Sequence, residues 1–258
     1  MATYRTILYE AREGVATLTL NRPEQRNGMT NVMIRETREA LTAAASDSKL
    51  RVLVLTGAGK SFCPGADLNH YTSDEGDIAL APEDYFVAVL LHEMPAVTIA
   101  AVNGSCAGAG LGWACGCDVR VATRSAMFNT AFLNVAFAGD MGLPWSLSRI
   151  IGAARARDLS FFPEKFTAAR AEEIGLVAHV WEDDCFRERV ASMVASLAAR
   201  SPVALRTLKA HYLAAERMTM KDFVAIETEH HQRIGRMEDV QEAFRAFLEK
   251  RAPRFTGR

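Results

Sequence analysis

Two glycine-rich segments and one aspartate carry the residue types most able to do chemistry. Ser61-Phe-Cys-Pro-Gly65-Ala66-Asp67-Leu68 follows the apolar run Leu50–Thr56. Asn103-Gly104-Ser-Cys-Ala-Gly108-Ala109-Gly110-Leu-Gly112 follows the apolar run Ala96–Val102. Each puts small residues at the C-terminal end of an expected strand, just ahead of a helix start. Such places leave backbone N–H groups unpaired and close to a ligand, with a helix dipole behind them. Donors from two such loops can converge on one carbonyl oxygen and stabilise the charge that develops there. The same glycines also suit tight packing of strand against helix, so either segment alone leaves both readings open. The aspartate is Asp140, in Phe137-Ala-Gly-Asp-Met-Gly142. It is a candidate acid or base, and equally a candidate cap for a helix starting near Leu143.

Other signals do not survive a residue count. Gly57-Ala-Gly59-Lys60-Ser61 resembles the end of a phosphate-binding loop, but the pattern needs Gly at 54, where the chain has Val. Gly108-Ala-Gly110-Leu-Gly112 is not a dinucleotide fingerprint, because Trp113 stands where the last Gly belongs. The nucleophile elbow Gly-x-Ser-x-Gly does not occur. Cys115-Gly-Cys117 has the wrong spacing for a redox or zinc pair and reads as small buried thiols. None of His70, His92, His179, His211, His230 and His231 falls at a metal-ligand spacing, so no metal site is expected. His70 and Tyr71 follow the first loop and could reach its cavity, with ordinary packing as the alternative.

Composition narrows the class further. The chain has 258 residues, 49% apolar and 24% charged, as in an ordinary globular protein. At this length folding hides roughly 70–75% of the unfolded surface, enough for a sizeable core. Thirty basic residues against 31 acidic ones leave a net charge of −1, which excludes a surface built overall for nucleic acid or an anionic membrane. Five cysteines and no apolar leader at MATYRTILYE predict a cytoplasmic protein with free thiols. Residues 94–117 hold no charge and are long enough to span a bilayer, but Pro95, Asn103 and repeated glycines fit a strand, a loop and a buried helix better.

The elements that must position the two loops alternate. Arg5–Ala11 and Val15–Asn21 read as strands joined at Glu13-Gly14 and stopped by Pro23. Thr30 is placed to cap a helix over residues 31–45. Leu50–Thr56, Ala96–Val102 and Val119–Ala122 read as buried parallel strands, with helical patterns over 82–92 and 106–115 between them. This is an α/β pattern built from crossover units. From about residue 144 helix follows helix, with Thr167, Ser201-Pro202 and Thr219 as expected starts. The expected organisation is a core over 1–200 and a helical region over 201–258.

Taken together and in order, these blocks resemble the crotonase superfamily, the enoyl-CoA hydratase/isomerase family. The resemblance starts at Leu18-Thr-Leu-Asn-Arg-Pro-Glu-Gln-Arg-Asn27 and runs through Val52–Leu68, Ile99–Gly104, Gly108–Gly112 and Cys117–Ala122. It ends at Ala171–Val177 and Phe247–Phe255. It implies a spiral of ββα units with a helical C-terminal trimerisation region, assembled as a trimer or a dimer of trimers. It implies an acyl-CoA substrate, with coenzyme A as part of that substrate and no separate cofactor. By matching motifs, the oxyanion donors are the amides of Ala66 and Ala109; position 109 is usually Gly. The segment Ala66, Asp67, Leu68 and Asn69 holds the thioester and pantetheine, and Arg26 lies near the adenine end.

The chain also departs from that family. Its hydratases place water with two glutamates, and here the corresponding positions are Gly112 and Phe132. Neither can transfer a proton, so hydration by a glutamate pair is not expected. Asp140 falls where dienoyl-CoA isomerases carry a catalytic aspartate and 4-chlorobenzoyl-CoA dehalogenases a nucleophilic one. In an apolar setting beside Phe132 and Trp113, which would shape the acyl pocket, its pKa is expected to rise. Three activities follow: double-bond isomerisation or a related lyase step, acyl-CoA binding without turnover, and thioester hydrolysis or dehalogenation through Asp140.

Overall fold

Val52, Leu53, Val54 and Leu55 are all buried, so this strand must be covered on both faces. A computed structural model describes residues 3–73 and 78–258. In it, strand β3 (Val52–Gly57) sends Leu53 and Leu55 into one apolar cluster and Val52 and Val54 into another. Strand β5 (Val97–Val102) divides in the same way, Ala100 and Val102 against Ile99 and Ala101. Period-two alternation between two hidden faces is what a continuous apolar run becomes in a parallel sheet.

That sheet has the order β1-β2-β3-β5-β7-β10. Strands β1 (Ile7–Arg12) and β2 (Val15–Leu20) form its antiparallel hairpin. β7 (Val119–Thr123) and β10 (His179–Trp181) pair parallel beyond β5. A second sheet takes one short strand after each of three long ones. These are β4 (Ser61–Cys63), β6 (Ser105–Ala107) and β8 (Met127–Asn129), closed by β9 (Phe166–Thr167). Helices follow each pair. α2 (Leu68–Tyr71) comes after β4, α4 (Ala109–Gly116) after β6 and α5 (Leu143–Ile151) after β8. The chain is therefore a mixed α/β spiral of ββα units.

Helix α1 (Asn31–Ser46) starts where expected, with Thr30 Oγ1 accepting from the Met33 amide. α3 (Val87–Glu93) follows a 3-10 turn over Pro82–Phe86. α6 (Ala153–Phe161) follows α5, and α7 (Ala168–Glu173) is capped by Thr167. α8 (Phe186–Ala198) covers the second sheet face through Phe186 and Val194. α9 (Pro202–Ala215), α10 (Met220–Ile234, capped by Thr219) and α11 (Glu238–Leu248) complete the chain.

Several expectations change. The stretches 61–63 and 105–107 are strands, so α4 starts at Ala109 rather than 106. β9 and β10 also interrupt the helical C-terminal third. Three-residue strands carry no periodic signal of their own and exist because a neighbouring strand pairs with them. Ser201 does not cap α9; its hydroxyl donates instead to Asp239 Oδ2 at 2.8 Å, a charged acceptor. Residues 94–117 resolve into β5, β6 and α4, and no helix among the described residues is long and apolar enough to cross a membrane.

Helix α9 is tied to the core by charge. Lys209 Nζ lies 2.8 Å from Asp118 Oδ2 and donates to Ala96 O at 2.9 Å, while Asp118 Oδ2 also accepts from the Thr98 amide. Burial pulls the lysine pKa down, and the Asp118 carboxylate works against that pull.

Candidate active site

Three polar side chains set the loop after β4. Asn27 is fully buried, accepts from the Arg22 amide at 2.9 Å, and donates to Ala58 O at 2.9 Å and Ser61 O at 2.7 Å. Arg22 donates to Gly28 O and to Asp67 Oδ2, the latter at 2.8 Å. Asp67 Oδ1 then caps α2 by accepting from the His70 amide. Burial opposes ionisation of Asp67, but Arg22 and the His70 amide outweigh it and hold the carboxyl below the usual range. On the other side, Asn103 brackets the end of β3, accepting from the Gly57 amide and donating to Gly57 O and Gly59 O.

Between these braces the two glycine loops meet. Gly65 has φ +101° and Gly108 φ +51°, the latter with ψ −127°; both lie where an L side chain is strained. A methyl group on Gly65 would stand 3.2 Å from Ala107 O and 3.7 Å from Gly108 Cα. The residues just before Ala66 and Ala109 are therefore in contact. Ala66 forms a parallel bridge with Met29 in which the Gly65 carbonyl and the Asp67 amide face Met29. Alternation along an extended backbone turns the Ala66 amide the other way. Ala109 is the first residue of α4, so its N–H has no intrahelical acceptor. Among the described residues, no turn, loop or cap hydrogen bond uses either amide.

The main chain of Asp140 packs on α4 at Gly112, one helical turn beyond Ala109. A methyl group on Gly112 would stand 3.1 Å from Asp140 O and 2.9 Å from Met141 Cβ. The Asp140 side chain is half-buried, and its Oδ1 accepts from the Met141 amide at 2.8 Å. Burial raises its pKa, and that one amide bond only partly offsets the rise. No basic side chain among the described residues pairs with it. The capping alternative does not hold: Gly142 occupies the N-cap of α5, and only the Asp140 carbonyl serves the helix, accepting from the Leu143 amide. Phe132, half-buried, reaches to 3.9 Å from a methyl group built on Gly108.

Of the expected binding residues, Arg26, Ala66, Asp67, Leu68 and Asn69 line one cleft of about 490 Å³, which His70 and Arg22 also border. Asp140, Phe132 and Ala109 lie outside that lining, around the Gly65–Gly108 contact and the first turn of α4. Two of the expected binding residues have their side chains engaged elsewhere. The Asp67 carboxylate is occupied by Arg22 and the α2 cap, so it shapes the loop. Trp113 is 0% exposed, because its place on α4 turns it into the core, away from any open surface. Tyr71 turns to α1, donating to Asn31 Oδ1 at 2.6 Å. Cys63, Cys115 and Cys117 are buried thiols pushed up to about 12, 11 and 12, which leaves them unreactive. The sequence assigns no role to Arg22, Asn27 or Met141, and Asn103 enters as the start of the second glycine loop. Arg22 enters only inside the block Leu18–Asn27, just ahead of the strand-stopping Pro23, and Asn27 and Met141 carry no periodic signal at all.

A spiral of ββα units with two glycine loops apposed at its strand ends defines the crotonase superfamily. The comparisons agree: the enoyl-CoA hydratase/isomerase family model matches residues 10–258. The 1,2-epoxyphenylacetyl-CoA isomerase of Escherichia coli K12 is 35% identical over 258 residues, covering 98% of both chains. A probable enoyl-CoA hydratase of Rhodobacter capsulatus is 35% identical over 99% of this chain and 100% of its own. The crystal structure of a putative enoyl-CoA hydratase from Streptomyces coelicolor A3(2) superposes with a TM-score of 0.91 at 31% identity, over 100% of this chain and 96% of that one. The chain belongs to the enoyl-CoA hydratase/isomerase family and is an acyl-CoA-processing enzyme of that family.

Proposed function

We propose that this enzyme moves a double bond, or carries out a related lyase step, on an acyl-CoA thioester, with Asp140 as its single proton carrier. The thioester oxygen accepts from the Ala66 and Ala109 amides, which acidifies the α-carbon. With a 3-enoyl thioester, Asp140 takes the α-proton, the electron pair delocalises onto that oxygen, and Asp140 returns the proton to the γ-carbon, leaving the 2-enoyl product. No water is added. Arg26 meets the adenine end and Leu68 and Asn69 flank the pantetheine. Phe132 packs on the acyl group.

The observation that carries this reading is the half-buried Asp140, whose main chain packs on α4 at Gly112, one turn beyond Ala109, where position 112 itself holds no acid; burial also raises its pKa. A carboxyl that ionises reluctantly suits a group that must take and return a proton near neutrality. The isomerase named among the relatives acts on an epoxyacyl-CoA, which supports rearrangement of a CoA thioester without added water but not the migration of a double bond in particular. The enzyme is cytoplasmic and uses no metal or redox cofactor. The helices beyond residue 200 pack on further copies as a trimer or a dimer of trimers. Exposed Tyr212, Met220, Phe247 and Leu248 support that assembly.

The test is to incubate the protein with 3-enoyl-, dienoyl- and 2-enoyl-CoA and follow the products by mass spectrometry. The reading fails if no thioester is altered or if Asp140→Asn leaves turnover intact. The non-acidic Gly112 and Phe132 favour a second reading, acyl-CoA binding without turnover, which tight binding with no product would support. A covalent mass increase on Asp140 in a single turnover would instead mark it as a nucleophile.

A further inference from the structure

Gly112 has no left-handed φ, so its missing side chain serves space and not backbone conformation. A methyl group there would lie 2.9 Å from Met141 Cβ, 3.0 Å from Met141 O and 3.1 Å from Asp140 O. Two of those three atoms are backbone, and the segment that owns them has little freedom to retreat. Met141 is buried and holds φ +47°, between Gly139 at +124° and Gly142 at +71°. A non-glycine residue in that region costs energy and persists only when its surroundings dictate it. The Asp140 carbonyl is anchored to α5 through the Leu143 amide at 3.0 Å, and the Met141 amide holds Asp140 Oδ1. The carboxyl is thus oriented by a strained turn, and that turn rests on bare Cα at position 112.

We propose that Gly112 is the positioning residue for Asp140: the absent side chain lets residues 139–142 settle onto α4, and this seat sets where the carboxyl projects. The proposal rests on the reading of Asp140 as the proton carrier. It implies that a side chain at 112 and this seat for Asp140 exclude one another. A carboxylate introduced at 112 would unseat the acid already present instead of adding a second.

The test compares Gly112→Ala, Met141→Gly, the double variant and Asp140→Asn. It uses kcat and KM on a 3-enoyl-CoA, and carbon-13 NMR titration of the Asp140 carboxyl, assigned by its loss in Asp140→Asn. Gly112→Ala is expected to lower kcat roughly ten- to hundredfold, hold KM within about twofold, and move the Asp140 titration midpoint. Adding Met141→Gly removes the Cβ contact and tolerates the left-handed φ but leaves the two carbonyl contacts, so part of the lost kcat should return and the midpoint should move back toward that of Met141→Gly alone. Should Gly112→Ala alone not fold, the double variant against Met141→Gly makes the same comparison. An unmoved midpoint overturns the proposal, and so does a fall in kcat that Met141→Gly does not relieve. Failure of the underlying reading looks different: Asp140→Asn would keep full turnover, while the NMR titration would still report the seat.

Discussion

The Arg22 guanidinium lies 2.8 Å from Asp67 Oδ2 and also donates to the Gly28 carbonyl, fastening the end of the first hairpin to the loop that carries Ala66. The pair is mostly buried, and one carboxylate oxygen serves Arg22 while the other caps α2. Replacing Arg22 by Met is therefore expected to loosen the cleft between Arg26 and Asn69 and raise KM for acyl-CoA roughly tenfold, with kcat changed less. Steady-state kinetics measures both.

The same carboxyl predicts an acid limit. Asp67 sits below its ordinary pKa in the folded state, so between the two values the unfolded chain binds more protons. Its contribution is present above the ordinary aspartate value and is lost as pH falls through the depressed one. Urea midpoints taken from about pH 7 to about pH 3 should fall less steeply for Asp67→Asn than for the parent.

Asp140 has the opposite sign. Burial raises its pKa in the folded state, so stability declines as pH climbs from the ordinary aspartate value through the raised one. Asp140→Asn should cut kcat by about 10²–10⁴ while leaving thermal stability equal or higher, the gain growing from acid toward neutral pH. A lower melting temperature in this variant at neutral pH would contradict that account.

Asn27 makes three hydrogen bonds from a site with no solvent exposure. Asn27→Ala strands two carbonyls and an amide in the core, a loss of about 3 kcal/mol. At this chain length that corresponds to roughly 6–12 °C in melting temperature, readable by calorimetry.

Lys209 is 5% exposed and its ammonium bridges Asp118 and the Ala96 carbonyl. Lys209→Met should cost about 1–3 kcal/mol, because it strands the buried Ala96 carbonyl and removes the cation from Asp118, whose carboxylate is left with the Thr98 donors. Adding Asp118→Asn should recover part of that loss. A double-mutant cycle by urea denaturation measures the coupling.

The long strands and helices were legible because their signals are local. Leu50–Thr56 and Ala96–Val102 are apolar runs too short for helices, and the structure keeps both within two residues as β3 and β5. Thr30, Thr167 and Thr219 act as caps because a hydroxyl beside a helix start needs no distant partner. Ser201 looked the same and failed, since Asp239 from 38 residues away offered a stronger acceptor. The strands β4, β6 and β8 were not legible, being three residues each and stable only through one another.

For the site, chain order alone determined which residues are present: glycines at 65 and 108, small residues at 66 and 109, no acid at 112 or 132, and an aspartate at 140. Residue identity is a one-dimensional fact, and the kinship and the missing glutamates follow from it. Only the tertiary structure decided what those residues touch. It pressed Gly65 against Gly108, took Asp67 for Arg22, sank Trp113 into the core and laid Met141 in a left-handed turn on Gly112. Each of these depends on contacts between segments far apart in the chain. Such contacts are selected by packing of the whole core, which no local window of sequence contains.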